Sequence, residues 1–339
     1  MTRATTVPPR AAGRIRRIAV VGAGTIGASW AGYFSGKGFD VVVVEPDAAT
    51  GERLAERIAR CHQAMVAARL RDPATAIGQV TVVADVAALA RDTIDFVQEN
   101  VREQLPLKQA TLRALDALLP PDVLIASSTS GLGASDLQDG CSHPQRVLVG
   151  HPMNPPHLLP LVEIVGGRAT SPDAVQAAAG IYAAMGKRPV VLNREVIGHL
   201  ATRLTVALWR EAACLVRDGV ASVADVDAAV THGLGLRLAV AGPHLSYHLG
   251  GGEGGLAGFF AWAREPLQHW CDDLGTLTLD ADLEATLVAG VTAAALGHSG
   301  AELAQWRDTA LAGVLAQRQA TPSPTDRKLP ILSHHATVD

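Results

Sequence analysis

Arg17-Ile18-Ala19-Val20-Val21-Gly22-Ala23-Gly24-Thr25-Ile26-Gly27 is the stretch on which the fold turns. A short apolar run breaks into glycines spaced Gly-x-Gly-x-x-Gly, after which Ile26, Trp30 and Tyr33-Phe34 recur at helical spacing. The reading is strand, tight turn, helix. Gly22 permits the turn, Gly24 has no side chain to hold a pyrophosphate away, and Gly27 lets helix and strand pack closely, so phosphate charge falls on the helix N-terminus. Thr25 and Ile26 complete that loop and are expected at the cofactor. The spacing alone is a weak signal, but here a strand precedes it, a helix follows it, and the next apolar run, 41–44, ends in Glu45. A carboxylate at that point accepts hydrogen bonds from the adenosine ribose and repels a 2′-phosphate, so the expected cofactor is NAD rather than NADP.

Outward from this unit the pattern repeats. Apolar runs at 80–83, 94–97, 123–126 and 147–150 alternate with helical stretches, and their β-branched character suits strands buried on both faces. The expected fold class is therefore α/β, a Rossmann-like doubly wound and mainly parallel sheet, followed by an all-helical C-terminal domain. Strand signals end with 161–165 and 189–192, the apolar stretch 175–185 standing between them. From Gly198 onward the spacing is helical: Leu200, Leu204, Leu208, Leu215 and Val216 mark one long helix. Ser222 caps the next, with Asp225 three residues on, and further helices are expected over about 254–272, 281–296 and 300–319. The expected organisation is a tail at 1–14, an NAD-binding domain at 15–195, a helical substrate and dimerisation domain at 196–320, and a flexible tail at 321–339.

Composition excludes several classes. Of 339 residues 48% are hydrophobic and 18% charged, too apolar for a disordered chain and long enough for about two domains. A net charge of -4 gives no electrostatic footprint for nucleic acid. Mean hydropathy is +0.19, yet no long apolar run escapes interruption by charge, so no membrane span is expected. Arg3, Arg10 and Arg14 precede the first acidic residue, Asp40, faintly like a transit peptide, but without an apolar signal segment. Four scattered cysteines, Cys61, Cys141, Cys214 and Cys271, read as reduced thiols, and the expected location is cytoplasmic. Only 4% of residues are aromatic, and Trp209, Tyr247, Phe259, Phe260, Trp262, Trp270 and Trp306 all fall in the helical region.

Three further segments belong together: Ser127-Ser128-Thr129-Ser130, His151-Pro152-Met153-Asn154-Pro155-Pro156 and Leu161-Val162-Glu163-Ile164-Val165. Over about residues 16–270 the chain resembles the 3-hydroxyacyl-CoA dehydrogenase family. The histidine-proline opening, with Glu211, Gly235-Leu236-Arg237 and Gly242-Pro243, is most similar to the branch containing L-carnitine dehydrogenase and L-gulonate 3-dehydrogenase (lambda-crystallin). The resemblance implies His151 as general acid/base, in a loop at a strand end, with Glu163 as its orienting partner. It also implies Ser130 at the substrate oxygen or nicotinamide, Asn154 at the nicotinamide ribose, and Glu103 and Lys108 at the cofactor. A homodimer through the helical domain is implied as well. Chemistry reaches the same central pair: imidazole ionises nearest neutrality, and a carboxylate on its far nitrogen fixes the tautomer and favours the imidazolium. Glu103 and Lys108 read equally well as a solvated helix face.

The chain departs from the family pattern at Gly198-His199-Leu200-Ala201-Thr202-Arg203, where His199 takes an aromatic slot and Thr202 replaces an active-site asparagine. Thr202 retains one hydrogen-bond donor for the substrate oxygen but lacks the amide's reach. A substrate carboxylate would suit Arg203 or Arg237, which could equally form inter-helix ion pairs. The arginines at 53, 57, 60, 69 and 71 alternate with acids and make a poor landing surface for a CoA nucleotide, so a small 3-hydroxy acid, carnitine-like or a sugar acid, is expected. A quaternary ammonium group would need aromatic walls, for which the helical region's rings are candidates. The glycine-rich run at 250–255 follows no strand and reads as a mobile connection. His244 and His248 have ligand spacing without a third partner, so no metal is expected. The alternatives are a 3-hydroxyacyl-CoA dehydrogenase and a non-catalytic, crystallin-like NAD-binding protein. A lysine-based β-hydroxyacid dehydrogenase would have only Lys187 near the hinge.

Overall fold

The computed structural model describes residues 8–321 and divides them into two compact units, residues 8–203 with Arg307–Ala320, and Leu204–Trp306 with Thr321. The first unit is built on eight strands: β1 (Arg17–Val21), β2 (Asp40–Val44), β3 (Val80–Val83), β4 (Phe96–Glu99), β5 (Leu124–Ser127), β6 (Val147–Pro152), β7 (Leu161–Gly166) and β8 (Arg188–Val191). They form one sheet in the order β3-β2-β1-β4-β5-β6-β7-β8, parallel throughout except between β6 and β7. Helices α1 (Thr25–Gly36), α2 (Ala48–Glu52), α3 (Leu54–Ala67), α4 (Leu105–Leu118), α5 (Ala134–Leu137) and α6 (Pro172–Ala184) accompany it. The apolar stretch at 175–185 thus lies mainly in α6. Chain order reverses between β1 and β4, which opens a crevice at the carboxyl ends of these strands.

Both faces of the inner strands are buried, as their β-branched runs demand, whereas the edge strands β3 and β8 leave Val82 and Val191 exposed. On one face Trp30 stacks on Phe34 at 4.8 Å between ring centres, and Tyr33, Tyr182 and Met65 close the layer. On the other, Leu89, Leu112, Leu115 and Leu137 cover Val21, Val97 and Ile125. Burial of each such large side chain contributes roughly 1.5–3 kcal/mol. Strand β4 lies two residues later than the run expected at 94–97. Asp95 is occupied instead by the amides of Arg16 and Arg17, at 2.8 and 2.9 Å, while polar Gln98 and Glu99 are fully buried inside the strand.

The remaining helices are α7 (Ala201–Arg217), α8 (Val223–Ala229), α9 (Gly235–Leu238), α10 (Pro243–Gly250), α11 (Gly255–Asp273), α12 (Ala281–Ala294) and α13 (Gly300–Ala320). Within the second unit Ser222 caps α8, accepting from the amide of Asp225. Gly290 of α12 lies so close to Val223 that a Cβ there would come within 2.3 Å. The unit boundary falls after Arg203, and Arg307–Ala320 of α13 packs with the first unit: Ala312 is buried with Ala68 and Leu158. The glycine-rich run forms a short 3₁₀ turn between α10 and α11, and His248 Nδ1 accepts from the amide of Leu256. Among the described residues no helix is long and apolar enough to cross a membrane, and no cluster of three His, Cys, Asp or Glu could hold a metal. Of the expected tail at 321–339, residues 322–339 lie outside the described residues, as do residues 1–7 of the N-terminal one.

Candidate active site

The glycine-rich turn has the shape a pyrophosphate requires. Gly22 has φ +91°, and a Cβ there would come within 2.9 Å of the Asn100 carbonyl; a Cβ at Gly27 would overlap the Gly22 carbonyl at 1.8 Å. Both positions demand glycine. A Cβ at Gly24 would meet nothing within 4 Å, so that glycine leaves a free approach rather than relieving a clash. Gly24 is also the N-cap of α1, and no side chain caps the helix, so its first amides remain available to an anion. Glu45 accepts from the amide of Ala23 at 2.8 Å through one oxygen and from that of Asp47 at 3.0 Å through the other. A carboxylate has about four acceptor sites, so capacity for ribose hydroxyls remains. Open cradle, uncapped helix and carboxylate together fit a bound NAD. Arg57 of α3 adds an unforeseen clamp, donating to the carbonyls of Ala23 and Gly24 at 2.8 and 3.1 Å.

His151 lies within β6, not in the loop expected after it. The antiparallel return of β7 sets His151 directly opposite Glu163, a cross-strand pair that short-range sequence patterns do not reveal. The His151 ring is nearly buried, and its Nδ1 lies 2.8 Å from Glu163 Oε2. Because a carboxylate only accepts, Nδ1 carries the proton and Nε2 keeps its lone pair. The other Glu163 oxygen accepts from the amides of Leu200 and Ala201 at 2.7 and 2.9 Å, at the start of α7, where the helix dipole also favours negative charge. Burial pushes this carboxylate up, but the bonds from His151 and from the Ala201 and Leu200 amides outweigh it and hold the group below its usual range.

The loop after β5 is fastened from the β4–α4 loop. Glu103 accepts from Thr129 Oγ1 at 2.5 Å and from the Ser130 and Gly131 amides at 2.9 and 3.3 Å, leaving the Ser130 side chain exposed. Lys108 is neither a solvated helix residue nor open to a ligand. It is 1% exposed and paired with fully buried Glu99 at 2.9 Å, which needs a counter-charge. Ser127 also donates to Glu99, at 2.5 Å. A second buried chain, unforeseen, runs from Tyr182 through Gln98 to Ser128, whose hydroxyl donates to Asn100 at 2.7 Å. Its signal was present: polar Gln98 and Glu99 in an otherwise apolar strand.

Thr202 and Arg203 stand in the first turn of α7, and Arg203 donates to the Ile197 carbonyl at 3.3 Å. Asn154 is exposed beyond β6. Arg237 is exposed on α9 of the second unit. Lys187 is buried elsewhere, 3.7 Å from the centre of the Tyr33 ring and donating to the Pro156 and Leu159 carbonyls, which removes it as a base in this site. Burial lowers its basicity strongly.

Residues 17–196 match the 3-hydroxyacyl-CoA dehydrogenase NAD binding domain, and residues 198–286 the C-terminal domain of the same family. An L-carnitine dehydrogenase of Streptomyces griseus subsp. griseus is 43% identical over 301 residues, 89% of each chain. One of Bacillus cereus is 39% identical, covering 87% of this chain and 90% of its own. Among solved structures, 5-formyl-3-hydroxy-2-methylpyridine 4-carboxylic acid 5-dehydrogenase, an NAD-dependent dismutase, superposes with a TM-score of 0.78 at 28% identity, covering 91% of this chain and 99% of its own. The (S)-3-hydroxybutyryl-CoA dehydrogenase of Ralstonia eutropha gives 0.58 at 25% identity, covering 76% and 89%. With its nucleotide cradle and its histidine-glutamate pair, the chain belongs to the 3-hydroxyacyl-CoA dehydrogenase family of NAD-dependent oxidoreductases.

Proposed function

We propose that this chain oxidises the 3-hydroxyl of a small free hydroxy acid of the carnitine class, with His151 as the base. The observation that carries the reading is the His151–Glu163 pair, whose hydrogen bonding leaves Nε2 free to accept a proton. NAD, when bound, supplies the hydride acceptor. His151 Nε2 takes the hydroxyl proton as hydride leaves the same carbon, and Glu163 stabilises the imidazolium that forms. Ser130 and Thr202 are assigned to the substrate oxygen, and Arg203, with Arg237 as the second candidate, to a substrate carboxylate. Asn154 and the turn from Gly22 to Gly27 are assigned to NAD, and Glu45 to its ribose. Glu103 serves indirectly, by holding the Ser130 loop.

A free acid rather than a CoA thioester is favoured by α3, whose Arg60 pairs with Glu56 at 3.3 Å and whose Arg57 is committed to the Ala23 and Gly24 carbonyls. The inner face of α3, with Ala64 and Ala68, packs against Leu311, Ala312 and Leu315, and Gln319 donates to the Ala68 carbonyl at 3.3 Å. The relatives named L-carnitine dehydrogenase favour a trimethylammonium hydroxy acid over a sugar acid. A homodimer is supported by large exposed apolar side chains on the second unit, among them Leu204, Trp262, Trp270 and Trp306. Free cysteines throughout the described residues support a cytoplasmic location.

The test is NADH formation from L-carnitine, L-gulonate and 3-hydroxybutyryl-CoA, with His151→Gln as control. Turnover of L-carnitine that disappears in His151→Gln, with NADH binding intact, is expected. Preference for the thioester overturns the free-acid reading, and NADH binding without turnover of any of them favours a non-catalytic protein.

A further inference from the structure

His199 sits at the junction of the elements that build the candidate site, yet neither contacts Glu163 through its side chain nor belongs to the family's assigned residues. It is 1% exposed. Its ring centre lies 5.3 Å from that of His151, and its Nε2 lies 3.1 Å from the carbonyl of Thr129, in the loop that carries Ser130. A carbonyl only accepts, so Nε2 carries the proton. Nδ1 is therefore the lone-pair nitrogen, and it is buried without a partner. Burial and the neighbouring His151 lower the basicity of the ring, more than its bond to Thr129 raises it, with Glu163 and Glu103 the acidic groups nearby. The imidazole is neutral. Its backbone has φ +49°, a left-handed conformation in which histidine is enriched, and this turn delivers the next two amides, Leu200 and Ala201, to Glu163.

A phenyl ring would fill this space without an orphaned nitrogen, so the gain must lie in the bond to Thr129. The geometry points to His199 as a positioning residue that ties the Ser130 loop to the α7 turn clamping Glu163, and so fixes His151 relative to the substrate oxygen. The inference rests on the proposed role of His151. It acts through one N–H donor, which separates it from simple packing.

The test compares His199→Phe, which keeps an aromatic ring without the donor, with His199→Gln, whose amide nitrogen can occupy the place of Nε2. In His199→Phe, kcat is expected to fall about tenfold to hundredfold with NADH affinity unchanged, because loosened groups miss the reactive geometry. Amide hydrogen exchange of the unliganded chain is expected to quicken about tenfold at Leu200, Ala201 and residues 129–131. His199→Gln is expected to restore both. Wild-type kinetics and exchange in His199→Phe, or equal damage in both variants, overturns the inference. Loss of NADH binding in parallel with kcat also overturns it, because the damage is then general. If the wild type oxidises no hydroxy acid, the reading of His151 as base fails, and the exchange pattern still decides whether His199 fastens the two segments.

Discussion

Replacing Glu163 by glutamine removes one charge and almost no volume, yet the geometry makes it a severe change. The carboxylate receives three N–H donors: His151 Nδ1 at 2.8 Å, Leu200 at 2.7 Å and Ala201 at 2.9 Å. An amide offers one oxygen and one nitrogen. With its oxygen on the two helix amides it keeps two of the three bonds, and its NH₂ then faces His151. Nδ1 must become the acceptor, the ring proton moves to Nε2, and the nitrogen that should take the substrate proton no longer can. The imidazolium also loses its counter-charge. A wrong tautomer of this kind costs about a thousandfold to ten-thousandfold in kcat, or about 4–5.5 kcal/mol of transition-state stabilisation. Steady-state NADH formation measures it, with NADH binding and thermal unfolding showing that cradle and fold survive. Retention of more than about a tenth of wild-type kcat would refute the tautomer argument, since that loss is only about 1.4 kcal/mol.

Other outcomes follow from the same geometry. Gly24→Ala should leave thermal stability unchanged, since its Cβ meets open space, while NADH affinity falls; Gly27→Ala should destabilise the fold itself, because its Cβ would overlap a backbone carbonyl. Equal effects in unfolding and binding measurements would contradict the assignment. Glu45→Ala should narrow the preference for NAD over NADP by about tenfold to hundredfold, the worth of a charged hydrogen bond, read as the ratio of kcat/KM values. His157 is held by Ser29 at 2.8 Å and lowered by burial to about 4. The unfolded chain therefore binds more protons between about pH 6.5 and 4, and stability falls as pH drops through that window, by up to about 3 kcal/mol. Unfolding followed across this range should lose that slope in His157→Gln.

What the sequence made legible follows from the range of the interactions involved. The turn from Gly22 to Gly27 is a local device, dictated by backbone sterics within a dozen residues, and it could be read before any fold was known. Glu45 followed because strand and helix lengths vary little. The β6–β7 pairing is different. Which residue of β7 faces His151 depends on an antiparallel register that no periodicity encodes, so His151 and Glu163 could be linked by family resemblance but not by spacing. Lys108 differs for another reason: a lysine on an amphipathic helix reads as solvated until buried Glu99, at the end of the preceding strand β4, supplies its partner. The last helix is the strongest case. Its periodicity gave its extent, but only the packing of Ala312 on Ala68 and Leu158 assigns Arg307–Ala320 to the first unit. Short-range rules therefore disclosed the cofactor turn, while the place of the last helix depends on contacts between residues more than two hundred positions apart, such as Gln319 on Ala68.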